Sequence, residues 1–308
     1  MRVLIVGAGA TGGWLAERIA ASEAEVFVLA RGEHGRAIAS RGLRITGVRE
    51  AHIAPECLRP YDAKLRYDRV VLTTKCQDLK SALDSIRDVL SPDTLLLTIQ
   101  NGVDAEEICA EFAAHNQIVA GVAYMNAFIQ EPGVVYVSGK GRLAIGDWWP
   151  TEPSRLPEVQ AWLEKAGIPT TTRDNVRRAK WTKLGWNSIY NPFCLLTRST
   201  VGQVRQNPQL KALAAQVLAE IDTVAACEDV KIDPDMLDHM FGAGDSQGSG
   251  ITDSRTSMWS DFIRGRPTEI DFLNGAVVRR GLRYGIPIPV NGAIVGLVHA
   301  LEMSSGPP

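Results

Sequence analysis

The sequence predicts an α/β chain, with a parallel sheet and crossover helices in its first part and an all-helical domain after it. Three observations carry this expectation. An apolar run at 1–6 leads directly into Gly7-Ala8-Gly9-Ala10-Thr11-Gly12 and then into an apolar-periodic segment at 14–21, which reads as strand, glycine turn and helix. Apolar runs at 69–74 and 94–99 are separated by a helical pattern at 79–90, as a parallel sheet requires. After Asn175 the periodicity is almost wholly helical, broken by glycines and prolines.

Each glycine of the first turn has a separate physical task. Gly7 allows the turn, Gly9 lets backbone approach a pyrophosphate, and Gly12 permits close packing of helix on strand. The pyrophosphate would rest on the helix N-terminus, against Ala8, Ala10 and Thr11, where free N–H groups and the dipole favour an anion. The first domain is therefore expected to be a Rossmann dinucleotide-binding domain. The second strand, at 25–30, is followed by Arg31 and not by the Asp or Glu that would accept from a ribose 2′-hydroxyl. A cation there suits a 2′-phosphate, so the expected cofactor is NADP(H). His34 and Arg36 are lesser candidates for the same phosphate. Lys75 and Gln100-Asn101-Gly102 follow the strands at 69–74 and 94–99. Ligands bind outside the carboxyl ends of such strands, so Lys75 and Asn101 are cofactor-side candidates, although Lys75 equally suits a solvated surface and Asn-Gly a purely local turn.

Residues 118–147 alternate loosely around turn signals at Glu131-Pro132-Gly133 and Ser138-Gly139-Lys140-Gly141, which predicts a strand and a hairpin extending the sheet with antiparallel members. A helix at 158–166 and a last strand at 168–172 complete the domain. The expected division is 1–174 for the cofactor domain and 175–308 for the helical domain. Helices are expected at 178–196, 208–228, 234–241, 256–263, 269–284 and 290–303. The glycine-rich stretch 242–250 reads as a surface connection or a lid.

The most informative segment of the second half is Lys183-Leu-Gly-Trp-Asn187-Ser-Ile-Tyr-Asn191-Pro192. Residues four and eight positions on are rotated by only about 40° and about 80°, so one ammonium and two carboxamides share a helix face within an apolar segment. Pro192 cannot donate to the Ser188 carbonyl and should kink or end the helix there. In isolation the stripe is equally met by a snorkelling lysine and asparagines bonded to backbone. Likewise, capping after Thr268 alone accounts for the acids Glu269 and Asp271.

Composition narrows the function classes. The chain has 308 residues, 45% hydrophobic and 22% charged, with a formal net charge of -2, so no general basic field addresses nucleic acid or an anionic membrane. The five cysteines include no C-x-x-C pair and the five histidines no H-E-x-x-H, which leads us to expect reduced thiols and no metal. The chain starts directly with the strand and glycine turn, and no apolar run approaches a membrane span. The expected location is cytoplasmic.

Taken together, these motifs resemble the ketopantoate reductases (2-dehydropantoate 2-reductases). The resemblance rests on G-A-G-A-T-G, Arg31, Gln100-Asn101-Gly102, K-L-x-x-N-x-x-x-N-P at 183–192, Ser257-Met258, R-G-R-P-T-E-I-D-F-L-N-G at 264–275 and G-I-P-I-P-V-N at 285–291, in order over nearly the whole chain. It implies a Rossmann domain followed by an all-helical domain, with the active site in the cleft between them. It also implies NADPH-dependent reduction of ketopantoate to pantoate in pantothenate synthesis, with homodimers in some members. Lys183 would be the general acid. Asn187 and Asn191 would bind substrate oxygens, Ser257 would donate to the carboxylate, and Glu269 would accept from the substrate hydroxyl and help to hold the lysine. Asn101 would position the lysine or the nicotinamide region, and Lys180 falls outside the motif spacing. Ala123-Tyr-Met-Asn-Ala127 departs from the Thr-His-Ala-like run usual after that strand, which bears on the acid accepted, while Trp181, Trp186 and Trp259 are bulky neighbours of the site expected to serve core or interface packing. The alternatives are a reductase of another 2-keto acid on the same scaffold and a non-catalytic NADPH-sensing protein.

Overall fold

The computed structural model of the protein describes residues 1–150, 154–241 and 255–304. They form two compact units, one of residues 1–100 and 104–176, the other of residues 101–103 and 177 onward. The first is mixed α/β. Its strands are β1 (Arg2–Val6), β2 (Glu25–Leu29), β3 (Leu43–Gly47), β4 (Ala51–Ile53), β5 (Leu58–Pro60), β6 (Arg69–Leu72), β7 (Leu95–Thr98), β8 (Ile118–Tyr124), β9 (Ala127–Glu131), β10 (Val134–Val137), β11 (Arg142–Asp147) and β12 (Thr170–Thr172). Its helices are α1 (Ala10–Ala20), α2 (Gly32–Arg41), α3 (Cys76–Ser85), α4 (Ala105–Cys109) and α5 (Leu156–Lys165).

The main sheet has eight strands in the order β12-β11-β8-β7-β6-β1-β2-β5. It is parallel from β8 to β5, reverses between β8 and β11, and ends with β12 parallel to β11. The central strands are apolar without alternation because both faces are covered: Val3, Leu4, Ile5, Val70, Val71, Leu72, Leu95, Leu96 and Leu97 are all fully buried. Pro60, which has no N–H to donate, sits on the edge strand β5.

The hairpin expected to extend this sheet does not join it. β9 and β10 pair antiparallel, but β10 then pairs with β3, which pairs with β4, giving a second sheet in the order β4-β3-β10-β9. Alternation identifies a strand pair, not the neighbour it will choose. Here β11 occupies the place beside β8, and the apolar side chains of Leu43, Ile45, Val135 and Val137 join the core that holds Trp14 and Leu15 of α1. Gly13 allows that approach, since a Cβ there would stand 3.1 Å from a Val135 methyl.

The second unit is helical: α6 (Val176–Thr197), α7 (Val201–Gln206), α8 (Pro208–Ala226), α9 (Met236–Phe241), α10 (Ser257–Phe262), α11 (Asn274–Tyr284) and α12 (Pro289–Ser304). Pro192 lies inside α6, and the helix runs on past it for more than a turn. The single helix expected at 269–284 is divided. Ile270–Phe272 forms a 3-10 turn and α11 begins only at Asn274, so Glu269 precedes a short turn and does not cap an α-helix. Helix α7 was not anticipated. Its Thr200 and Gln203 exchange reciprocal side-chain bonds to backbone N–H groups, a capping box written in the sequence as T-x-x-Q. The stretch 242–250 lies outside the described residues. Among the described residues, no helix is long and apolar enough to cross a membrane.

A buried ion-pair cluster braces this unit. Arg280, 2% exposed, donates through Nε to Glu228 at 2.8 Å and through Nη2 to the Val103 carbonyl at 2.9 Å. Arg177 and Tyr284 also donate to the Glu228 carboxylate, at 3.2 and 3.3 Å. Truncating Glu228 to alanine strands a buried guanidinium, and urea unfolding should show a loss of about 3–5 kcal/mol. The exposed Lys80–Glu111 pair, broken in the same way, should change stability by less than about 1 kcal/mol.

Candidate active site

The glycine turn has the geometry its composition suggests. Gly7 has φ +91°, and a Cβ on it would meet the Thr74 backbone nitrogen at 2.7 Å. A Cβ on Gly12 would land on the Gly7 carbonyl oxygen, to which Thr73 Oγ1 also donates. Gly9 differs, for a Cβ there would meet nothing within 4 Å. The fold itself does not demand glycine at that position, and the space over it is open. Gly9 is also the N-cap of α1, where no side chain caps the helix and no acid occupies the first turn. The free N–H groups and the dipole at that end suit a pyrophosphate.

Around this turn stand the carboxyl ends of β2, β6 and β7. Arg31 is exposed, follows β2 and serves as the N-cap of α2. Lys75 is half-buried at the N-cap of α3, just beyond β6. His34, weighed as a phosphate ligand, is committed elsewhere. Gly133 N–H donates to its Nδ1 at 3.1 Å, so its hydrogen is on Nε2, which donates to the Ala8 carbonyl at 2.8 Å. Burial holds its pKa below the ordinary histidine value, with the Ala8 bond opposing. The neutral ring ties the glycine turn to the β9–β10 hairpin.

The stripe on α6 sets one amine and two carboxamides along the helix. Lys183 is half-buried, and desolvation of its amine pushes the pKa down to about 8. The nearby Lys180 ammonium adds to that depression and the Glu269 carboxylate opposes it. An amine with such a pKa is readily both protonated and deprotonated near neutral pH, as proton transfer requires. One turn on, Asn187 is half-buried and its Nδ2 is buried without a hydrogen-bond partner among the described residues. Asn191 is 5% exposed and turned to structure: its Oδ1 accepts a long bond, 3.5 Å, from Met258 N–H at the start of α10. That contact brings Ser257, exposed at the first position of α10, to the α6 face.

Glu269 and Asn101 belong to the same unit as the stripe. Gly102, at φ +86°, lies so close to the 3-10 turn after Glu269 that a Cβ would stand 2.5 Å from the Phe272 carbonyl oxygen. Asn101 thus enters the helical unit through this turn, held from behind by the Arg280 bond to Val103. Asp271, the second acid of the motif, is exposed and paired with His299 of α12 at 3.1 Å. Trp181 is fully buried, whereas Trp186 packs on Tyr190 and Trp259 lies under the Arg255 guanidinium.

Two polar groups not anticipated from the sequence emerge. Among the described residues, Gln100, 5% exposed just after β7, has neither carboxamide atom bonded, and Thr256, before Ser257, has a buried hydroxyl without a partner. Their neighbours Asn101 and Ser257 drew attention by motif; only burial without a partner singles these two out.

The chain resembles known proteins along nearly its whole length. The family model described as "Ketopantoate reductase PanE/ApbA" matches residues 3–150, and that described as "Ketopantoate reductase PanE/ApbA C terminal" matches 175–302. The chain is 30% identical over 329 residues to a 2-dehydropantoate 2-reductase of Mesorhizobium japonicum, covering 99% of each chain. Among solved structures, a PanE/ApbA family ketopantoate reductase from Ralstonia eutropha superposes with a TM-score of 0.87 at 30% identity, covering 99% of both chains. A D-mandelate dehydrogenase in ternary complex with NADH and anilino(oxo)acetate superposes with a TM-score of 0.91 at 26% identity, again over 99% of both. With both halves matched, the chain belongs to the ketopantoate reductase family and is a nicotinamide-dinucleotide-dependent oxidoreductase acting on a CH–OH group.

Proposed function

We propose that the protein reduces 2-dehydropantoate to pantoate with NADPH, as a step of pantothenate synthesis. The observation that carries the reading is Lys183, an amine held near pKa 8 on the same helix face as the unpartnered Asn187 donor. Gly7, Gly9, Gly12 and the N-terminus of α1 would hold the pyrophosphate, and Arg31 would bind the 2′-phosphate. When bound there, the reduced nicotinamide would supply a hydride for C2 of the keto acid. As the carbonyl π bond breaks, its electron pair moves to oxygen, where the Lys183 ammonium stabilises the charge and delivers the proton. Asn187 donates to a substrate oxygen, Ser257 to the carboxylate, and Glu269 accepts from the substrate hydroxyl while its charge favours the protonated lysine. Asn191 serves by holding the Met258 backbone, and Asn101, carried on the turn beside the Phe272 carbonyl, positions the lysine. A sensor has no use for a proton donor in this position.

The likeness to a mandelate dehydrogenase bound to NADH favours a second reading, in which the same chemistry acts on a different 2-keto acid with NADH. Arg31 separates the two. If it grips the 2′-phosphate, Arg31→Ala removes a charge-assisted contact of about 1.5–3 kcal/mol and raises KM for NADPH by roughly ten- to a hundredfold, leaving NADH kinetics unchanged. Equal effects on both cofactors, or NADH preference in the parent, would favour the second reading.

The proton donor has its own signature. Reduction needs Lys183 protonated, so ketopantoate-dependent NADPH oxidation should be level at lower pH and fall about tenfold per pH unit above a pKa of about 8. Pantoate oxidation needs the neutral amine and should rise through the same pKa. Lys183→Ala should lower kcat by about 10²–10⁴-fold while leaving NADPH binding intact. A variant retaining parent turnover, or a profile flat to pH 10, would remove Lys183 from the mechanism.

A further inference from the structure

Pro192 creates a specific problem inside α6. The helix continues to Thr197, yet a proline has no N–H, so the Ser188 carbonyl four residues earlier loses its helical partner. Ser188 is fully buried, so water does not reach it, and an unpaired buried carbonyl is costly. The partner comes from another helix. Asn274, the first residue of α11 and itself fully buried, donates through Nδ2 to the Ser188 carbonyl at 3.0 Å.

Its second Nδ2 hydrogen goes to Asn291 Oδ1 at 2.9 Å. Asn291 in turn donates to Glu220 at 2.7 Å, and Glu220 accepts from the backbone N–H groups of Val290 and Asn291 at the start of α12. The orientation of both amides follows from chemistry. A carbonyl at one end and a carboxylate at the other only accept, so each carboxamide must turn its NH₂ toward them. The chain of bonds ties α6 to α8, α11 and α12 at the break between Asn187 and Asn191.

We propose that Asn274 is a positioning residue for the reaction: it replaces the backbone donor that Pro192 lacks, and by holding the Ser188 carbonyl it fixes how α6 presents Lys183 and Asn187 on one side of the break and Asn191 on the other. Asn274 also follows Glu269 by five residues, so the same bond sets the spacing between the lysine helix and the acid segment. The inference rests on the function proposed above.

A double-mutant cycle tests it. Asn274→Ala should lower kcat by roughly ten- to a hundredfold through displacement of the helix, with NADPH affinity unchanged. Pro192→Ala restores an N–H that can bond to the Ser188 carbonyl, so in that background the Asn274→Ala loss should shrink to about threefold or less. Unfolding midpoints of the four proteins should show the same compensation, and if Asn274→Ala folds only when joined to Pro192→Ala, that too supports the bond. Equal kcat losses in both backgrounds, or parent kcat with lowered stability alone, overturns the proposal. Parent and Lys183→Ala proteins run alongside judge the reaction separately. If the parent turns over no keto acid, the functional reading falls, and absent coupling in the unfolding midpoints overturns the bond as well.

Discussion

Keeping a lysine amine out of water is the constraint on which the rest of the helical unit turns. In bulk water the ammonium would titrate near 10.5 and would be a poor acid at neutral pH; desolvation and the Lys180 charge bring it to about 8. Such a shifted amine persists only if the helix that carries it does not yield, because a small rotation would return it to solvent. The surrounding structure restrains that helix. Trp181 is packed in the core beside Arg280, Asn191 holds the start of α10, and Asn274 takes up the carbonyl released by Pro192.

Two buried polar systems divide this work. The carboxamides of Asn274 and Asn291, ending on Glu220, fix α6 against α11 and α12. The Arg280–Glu228 pair fixes α11 against the end of α8 and reaches the Val103 carbonyl, behind Asn101. The first ends on the Glu220 carboxylate, with Asn274 Oδ1 buried and unpartnered among the described residues, and the second ends on Glu228 and the Val103 carbonyl, so each specifies one arrangement of the unit. The cofactor unit uses a different device. Its turn is shaped by the steric exclusion of side chains at Gly7 and Gly12, with His34 bonded to the Ala8 carbonyl.

Much of this was legible in the sequence because it follows from local rules. The strand–glycine turn–helix start, the buried parallel strands and the helical second half are written as periodicity and punctuation, and the polar stripe as four-residue spacing. What was not legible depended on choices between distant partners. The alternation at 127–137 marks a hairpin, but its pairing with β3 was decided by the apolar face of α1, far away in sequence. Glu269–Tyr284 looked like one helix because Thr268 and two acids imitate an N-terminus; the chain instead makes a 3-10 turn, and Asn274 starts α11. The role of Asn274 was hidden for the same reason. Pro192 announced an orphaned carbonyl, while the residue that answers it lies 86 positions from Ser188.

The most direct test of the account is the ionisation of Lys183 itself, followed by the ε-carbon and ε-proton NMR signals of labelled lysine, with Lys183→Ala for assignment. The account predicts a midpoint near 8 in the parent and a lower one in Glu269→Gln, where the opposing carboxylate charge is gone. A midpoint above about 10, the range of a solvated lysine, would contradict it, because an amine of that basicity is not held out of water and does not answer to Glu269.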